Sequence, residues 1–258
     1  MDITALTLTE TGLEPGTAPT ALVLHGGGGP FTVANIAEHL AATHHVITPT
    51  HPGWNGTARP DDLDSIPGLA RLYLDLLAKR DLHDDVVIGS SLGGWIAAEM
   101  AATDAAARIG RLVIIDGGGI EVESEPMVDF FSLDPRGVAE HSWYDADAFF
   151  VDPATLDPAR VRAQRANMQT MGVYAGDPYM HDPALPARLA DITAPTLLIW
   201  GAADRVFTPG YGRAYAGLIP GARFELVERA GHLPHLERPE VTLELVDAFA
   251  GAGSAPLR

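Results

Sequence analysis

Between residues 89 and 93 the chain reads Gly-Ser-Ser-Leu-Gly, preceded by the apolar run Val86-Val87-Ile88 and followed by Gly94-Trp95-Ile96-Ala97-Ala98-Glu99-Met100 at helical spacing. A serine with glycine two positions away on either side, where a strand turns into a helix, sits on a sharp, strained bend with its hydroxyl exposed. Ser91 is the serine in that frame; Ser90 would need a glycine where the chain has Ile88. Such a hydroxyl becomes a nucleophile when an imidazole takes its proton and a carboxylate orients the imidazole. A second reading of the same turn is a glycine-rich cradle for a phosphate at the helix N-terminus.

Both partners of a nucleophilic serine occur downstream. The apolar run 196–200 leads into Gly201-Ala202-Ala203-Asp204, and the run 223–227 is followed by Ala230-Gly231-His232. Histidine, with an unperturbed pKa of about 6.5, can take and return a proton near neutral pH. Upstream, Ala21-Leu22-Val23-Leu24 ends in His25-Gly26-Gly27-Gly28-Gly29-Pro30. Consecutive glycines leave backbone N–H groups unshielded, which suits a developing oxyanion; one such donor is worth about 2.7–4 kcal/mol of transition-state stabilisation. This loop lacks the Lys-Ser/Thr ending of a phosphate-binding P-loop and the strand-helix-strand-acid setting of a dinucleotide fingerprint.

Other residues compete for these roles. Asp116 follows the run Leu112-Val113-Ile114-Ile115 and is a second candidate acid. His235 lies near His232 but does not directly follow the loop glycine, so packing or solvent exposure is expected of it. None of the ten histidines has His-Glu-x-x-His or comparable spacing, and neither a metal nor another cofactor is expected.

The elements that must position these residues alternate. Strands are predicted at 3–8, 21–24, 45–49, 86–88, 111–115, 196–200 and 223–227, and helices at 33–42, 66–79, 92–103, 210–217 and 239–250. That order implies an α/β fold with a mostly parallel sheet and helices on both faces. Residues 119–192 break the pattern with Pro-punctuated amphipathic pieces that carry Phe130, Phe131, Trp143, Tyr144, Phe149, Phe150, Met168, Met171, Tyr174 and Tyr179. An insertion of this length is expected to be functional. As an apolar cover it would exclude water and favour an acyl or aromatic group.

On the His25-Gly26-Gly27 loop, Pro52-Gly53, the elbow at 89–94, the segment 201–204, and Gly231-His232 followed by Glu237-Arg238-Pro239-Glu240, the chain resembles the α/β-hydrolase superfamily, in its lid-bearing serine esterase-like branch. The resemblance runs over nearly the whole length. It implies an α/β-hydrolase fold with a helical cap, or lid, inserted between strands six and seven: a core of 1–118 and 193–258 and a cap of 119–192. It also implies a triad in the chain order Ser91, Asp204, His232, with some relatives placing the acid where Asp116 stands. The oxyanion hole would be the N–H groups of Gly27 and Leu92, with His25 shaping the first loop. One departure is visible: the loop at 50–57 lacks the aspartate and the tighter glycine spacing common among relatives.

The composition narrows the partners. The 258-residue chain has no cysteine, which removes disulfides, thiolate metal sites and a cysteine nucleophile. Its formal charge of −17 disfavours nucleic acid and anionic membranes, which are held mainly by cations. No apolar stretch is long enough to span a membrane, and the start, Met1-Asp2-Ile3-Thr4, has no signal-peptide pattern. A cytoplasmic protein acting on a small, neutral, partly apolar molecule is expected.

The expected reaction is hydrolysis of a small carboxylic ester through an acyl-enzyme on Ser91. A serine nucleophile argues against haloalkane dehalogenase or epoxide hydrolase chemistry, for which relatives use an aspartate. Two alternatives stay open: carbon–carbon bond hydrolysis of a dienoic diketone, whose enzymes also carry a His-Gly-Gly-Gly loop, and a non-catalytic ligand-binding homologue.

Overall fold

The computed structural model describes residues 6–251. Seven strands, β1 (Thr7–Gly12), β2 (Thr20–Leu24), β3 (His45–Thr50), β4 (Asp85–Ser90), β5 (Ile109–Ile115), β6 (Thr196–Gly201) and β7 (Arg223–Val227), form one sheet in the order β1-β3-β2-β4-β5-β6-β7. β1 pairs antiparallel with β3, and every other pairing is parallel. Among the described residues the α-helices are α1 (Ala34–Leu40), α2 (Ile66–Lys79), α3 (Leu92–Thr103), α4 (Pro135–Ser142), α5 (Ala146–Phe149), α6 (Pro158–Ala175), α7 (Leu185–Leu189) and α8 (Pro209–Gly217) between strands, with α9 (Pro234–Glu237) and α10 (Pro239–Ala250) after β7. No described helix is long and apolar enough to cross a membrane.

The central strands read as unbroken apolar runs because both faces are covered. Alternate residues divide between two cores. Leu22, Leu24, Val87, Leu112, Ile114 and Leu198 pack with α2, α3 and α8, whereas Ala21, Val23, Val86, Ile88, Val113 and Ile199 pack with α1 and α10. α2 buries Ile66, Leu69, Tyr73, Leu76 and Leu77, a one-sided stripe at helical spacing, and begins with a proline in its first turn. α3 is buried from Leu92 through Ala101, so its sequence carries no polar face.

The strand expected at 3–8 is displaced. The described strand starts at Thr7, and positions 3–5 of the expectation lie outside the described residues. An edge strand pairs on one side only, and β1 is largely exposed, so its polar Thr-Leu-Thr-Glu-Thr lacks the apolar signature used to place it.

Between β5 and β6 the described chain forms α4 to α7 and no strand. The insertion expected between a sixth and a seventh strand thus follows the fifth strand of a seven-stranded sheet. Its first residue is tied to the stretch before α7, where Gly119 N–H donates to the Met180 carbonyl (3.2 Å) and Asp182 N–H to the Gly119 carbonyl (3.0 Å). Asp134 and Asp157 cap α4 and α6 by accepting N–H bonds, each just before a proline.

Candidate active site

Ser91 sits between β4 and α3 at φ 55°, ψ −118°, a strained conformation for a residue with a side chain. The flanking glycines follow from crowding: a Cβ on Gly89 would overlap the Gly93 carbonyl, and one on Gly93 would overlap the Leu24 carbonyl at the end of β2. The bend is fixed by Ser91 N–H to the Ile115 carbonyl (2.9 Å) and by Gly94 N–H to the Ser91 carbonyl (2.9 Å).

Asp204 follows β6 and His232 follows β7, and parallel neighbours bring both to the rim where β4 ends. The two loops touch so closely that a Cβ on Gly201 would overlap the Gly231 carbonyl. His232 Nδ1 lies 2.8 Å from Asp204 Oδ2 and His232 Nε2 lies 2.9 Å from Ser91 Oγ. Asp204 Oδ1 accepts the N–H groups of Val206 (2.8 Å) and Phe207 (3.2 Å), so the carboxylate is held from both oxygens. Asp204 and His232 are buried, and Ser91 is half-buried.

Gly27 and Leu92 flank the serine. Leu92 opens α3 at its positive end, and neither residue's N–H has an acceptor among the described residues. The Gly26–Gly27 peptide is oriented from its carbonyl side. That oxygen accepts His25 Nδ1–H (2.7 Å) and Gly29 N–H (3.1 Å), and in a trans peptide the N–H of Gly27 points the opposite way. His25 is therefore a support of the glycine loop, as its sequence position suggested.

Sequence reasoning missed what lies under His25. Its Nε2 accepts the backbone N–H of His51 (3.1 Å), and His51 Nε2–H donates back to the His25 carbonyl (2.9 Å). His51 Nδ1 in turn accepts the Tyr73 hydroxyl (2.6 Å). The two ring centroids lie 3.7 Å apart, with the planes tilted by 31°. Burial, and for His25 the neighbouring His51, hold both imidazoles below the usual histidine range, His51 at about 4. They are neutral struts with satisfied nitrogens. The sequence offered one signal, a histidine at the end of each of two neighbouring strands.

The divergent loop at 50–57 is clamped by α6. Asn167 accepts Asn55 N–H (2.8 Å), Thr170 donates to the Gly53 carbonyl (3.2 Å), Tyr174 donates to the Pro52 carbonyl (3.1 Å), and Tyr174 stacks on Trp54 at 5.5 Å. Trp54 Nε1–H reaches the Gly27 carbonyl (2.8 Å). Of the ten aromatic and methionine positions noted in the insertion, only Met171 and Tyr174 are buried. Met171 is the one pressed against Gly27, where its sulfur fills the space a Cβ would need.

The competing residues separate cleanly. His235 is buried and hydrogen-bonds the Thr32 carbonyl (2.8 Å), away from the serine. Asp116 lies beside the cluster, but it is Asp204 that meets the ring nitrogen of His232. Among the described residues, Asp116, Asp204 and His232 are the group whose donor atoms are close enough to hold a cation. Their contacts to backbone N–H groups and to each other fit proton chemistry.

A mostly parallel sheet with this strand order and a serine elbow after β4 defines an α/β hydrolase architecture. The chain belongs to the alpha/beta hydrolase family, whose model matches residues 21–245. It is 26% identical over 255 residues to a 2-hydroxy-6-oxononadienedioate/2-hydroxy-6-oxononatrienedioate hydrolase of Cupriavidus pinatubonensis, covering 91% of this chain and 87% of that one. It is 24% identical to a monoacylglycerol lipase of Xenopus laevis, covering 92% of this chain and 76% of the relative. A carboxylesterase of Bacillus subtilis shares the fold at a TM-score of 0.73 and 20% identity, over 95% of this chain and 87% of the other.

Proposed function

We propose that the protein is a serine hydrolase that cleaves a small, neutral carboxylic ester through an acyl-enzyme on Ser91. One observation carries the reading: a single imidazole, His232, bridges Ser91 Oγ at 2.9 Å and Asp204 Oδ2 at 2.8 Å. Asp204 accepts Nδ1–H and so leaves the Nε2 lone pair facing the hydroxyl. His232 takes the serine proton as Oγ attacks the ester carbonyl, and the oxyanion forms hydrogen bonds to the N–H groups of Leu92 and Gly27. The imidazolium then gives that proton to the departing alcohol. In the second half His232 takes a proton from water, hydroxide attacks the acyl group, and Ser91 regains its proton as the acid leaves.

A second reading has support of its own. The relative from Cupriavidus is named for dienedioate hydrolysis, a carbon–carbon cleavage. A dienedioate carries two carboxylates and calls for cations. Arg188 on α7 is already taken up by Glu99 (2.6 Å) and Asp182 (2.7 Å), so a carboxylate-bearing substrate would need another cation.

The test combines a panel of p-nitrophenyl esters with a fluorophosphonate probe and mass mapping of the labelled peptide. Cleavage together with Ser91 labelling is expected. No labelling and no cleavage by the folded protein would leave a ligand-binding homologue, and labelling without ester turnover would favour the carbon–carbon reading.

A further inference from the structure

Asp116 is a buried carboxyl that the proposed mechanism does not use. It follows β5 with φ 45°, and its Oδ1 accepts the N–H of Gly201 (2.9 Å), the last residue of β6. Its Oδ2 is buried with no protein donor. A carboxyl oxygen of Asp116, one of Asp204 and a ring nitrogen of His232 all lie within 4.8 Å of one another. Two bare carboxylates that close repel strongly, and such pairs share a proton.

We infer that Asp116 is a positioning residue that keeps its proton and donates it as a hydrogen bond from Oδ2 to the Asp204 carboxylate. The inference rests on the triad reading above. Asp204 then has donors all round: Val206 and Phe207 N–H on Oδ1, His232 Nδ1–H on Oδ2, and the Asp116 hydroxyl from the neighbouring strand. The pair carries one negative charge, which is what the imidazolium of the transition state requires opposite it. The groups facing Asp116 agree with this assignment. They are the Gly201 N–H from β6, the Asp204 carboxylate, the His232 ring that Asp204 holds by Nδ1, and the more remote charge of Glu237. Burial first, and Asp204 second, push the Asp116 carboxyl well above the usual carboxylate range. The left-handed backbone at 116 suits aspartate, asparagine or glycine and strains larger side chains, which sets the choice of variants.

The experiment uses full-length protein, with 13C-carboxyl-labelled aspartate for NMR and p-nitrophenyl acetate for kinetics. At pH 7 one aspartyl signal is expected at the position of a protonated acid, and it should vanish in Asp116→Asn. Asp116→Asn still offers N–H donors and should keep kcat within about threefold. Asp116→Gly relieves the backbone but removes the donor, and should lower kcat at least tenfold with KM little changed. The downfield His232 Nδ1–H proton should weaken in the glycine variant and persist in the asparagine variant. The inference is overturned if every aspartate is ionised at pH 7, or if folded Asp116→Gly turns over like the parent. Should p-nitrophenyl acetate not be cleaved at all, the ester reading fails, while the carboxyl and imidazole signals still decide the state of Asp116.

Discussion

The backbone N–H of His232 donates to the carbonyl of Ser142, 2.7 Å away, so the imidazole facing Ser91 is held by the inserted segment as well as by the sheet. Glu237 reinforces the joint. Its carboxylate accepts Gly231 N–H from the histidine loop and, from the segment after α4, the N–H groups of Tyr144 (2.9 Å) and Asp145 (3.3 Å). Arg205, next to Asp204, adds a bond from its guanidinium to the Glu140 carbonyl (2.7 Å). Asp204, His232 and the insertion are therefore tied to one another.

Glu237→Ala should loosen that joint. Removing the acceptor leaves the Gly231 N–H short of a partner, a cost of about 1–3 kcal/mol for a buried donor. A lower midpoint in urea unfolding is expected, with kcat for a p-nitrophenyl ester down about tenfold and KM changed less. Unchanged kcat in a variant destabilised by that amount would show that the joint supports the fold and not the imidazole.

The elbow gives a sharper test. Gly89→Ala places a methyl into the Gly93 carbonyl, where backbone on both sides leaves no side chain to yield. Overpacking of this kind costs about 1–3 kcal/mol and occasionally more. Thermal unfolding should drop accordingly, and the surviving folded fraction should label poorly with fluorophosphonate. Wild-type stability and labelling would mean that the bend is looser than its contacts imply.

Much of this was legible before any coordinates. β2, β4, β5 and β6 announce themselves because strands buried on both faces must be continuously apolar, and the residues at their ends, His25, Ser91, Asp116 and Asp204, follow from that placement. α6 was not legible. It runs for 18 residues, yet only Asn167, Met171, Tyr174 and Ala175 are buried, a narrow stripe that includes an amide. Its docking is polar, through Asn167, Thr170 and Tyr174 onto backbone groups of a loop, and hydrophobic periodicity does not register such contacts. Asp116 was visible as a candidate acid, but its distance from Asp204 depends on the pairing of β5 with β6.

Acid should weaken the protein through its buried histidines, and His235 isolates the effect. Burial holds its pKa at about 4, whereas an unfolded histidine titrates near 6.5. Below about pH 6.5 the unfolded chain takes up a proton that the folded chain refuses until about pH 4, so the stability present above pH 6.5 is lost across that window. The difference is on the order of 3 kcal/mol. Asp85, raised to about 6 by burial, acts in the opposite sense. It cancels when the parent is compared with His235→Asn. The urea stability of the parent relative to this variant should fall by that order between pH 6.5 and 4. A constant difference would show that His235 titrates normally in the fold.

Met171 sets the last prediction. Its sulfur lies where a Cβ of Gly27 would be, so the side chain limits the room beside the proposed oxyanion site. Met171→Ala should cost about 2–5 kcal/mol of stability, as a truncated buried side chain does. It should also shift chain-length preference: one methylene in an apolar pocket is worth about 1–3 kcal/mol. The ratio of kcat/KM for p-nitrophenyl hexanoate to that for the acetate should therefore rise at least tenfold. An equal fall for both esters would place the acyl group elsewhere, with Met171 serving only to fasten α6 over the glycine loop.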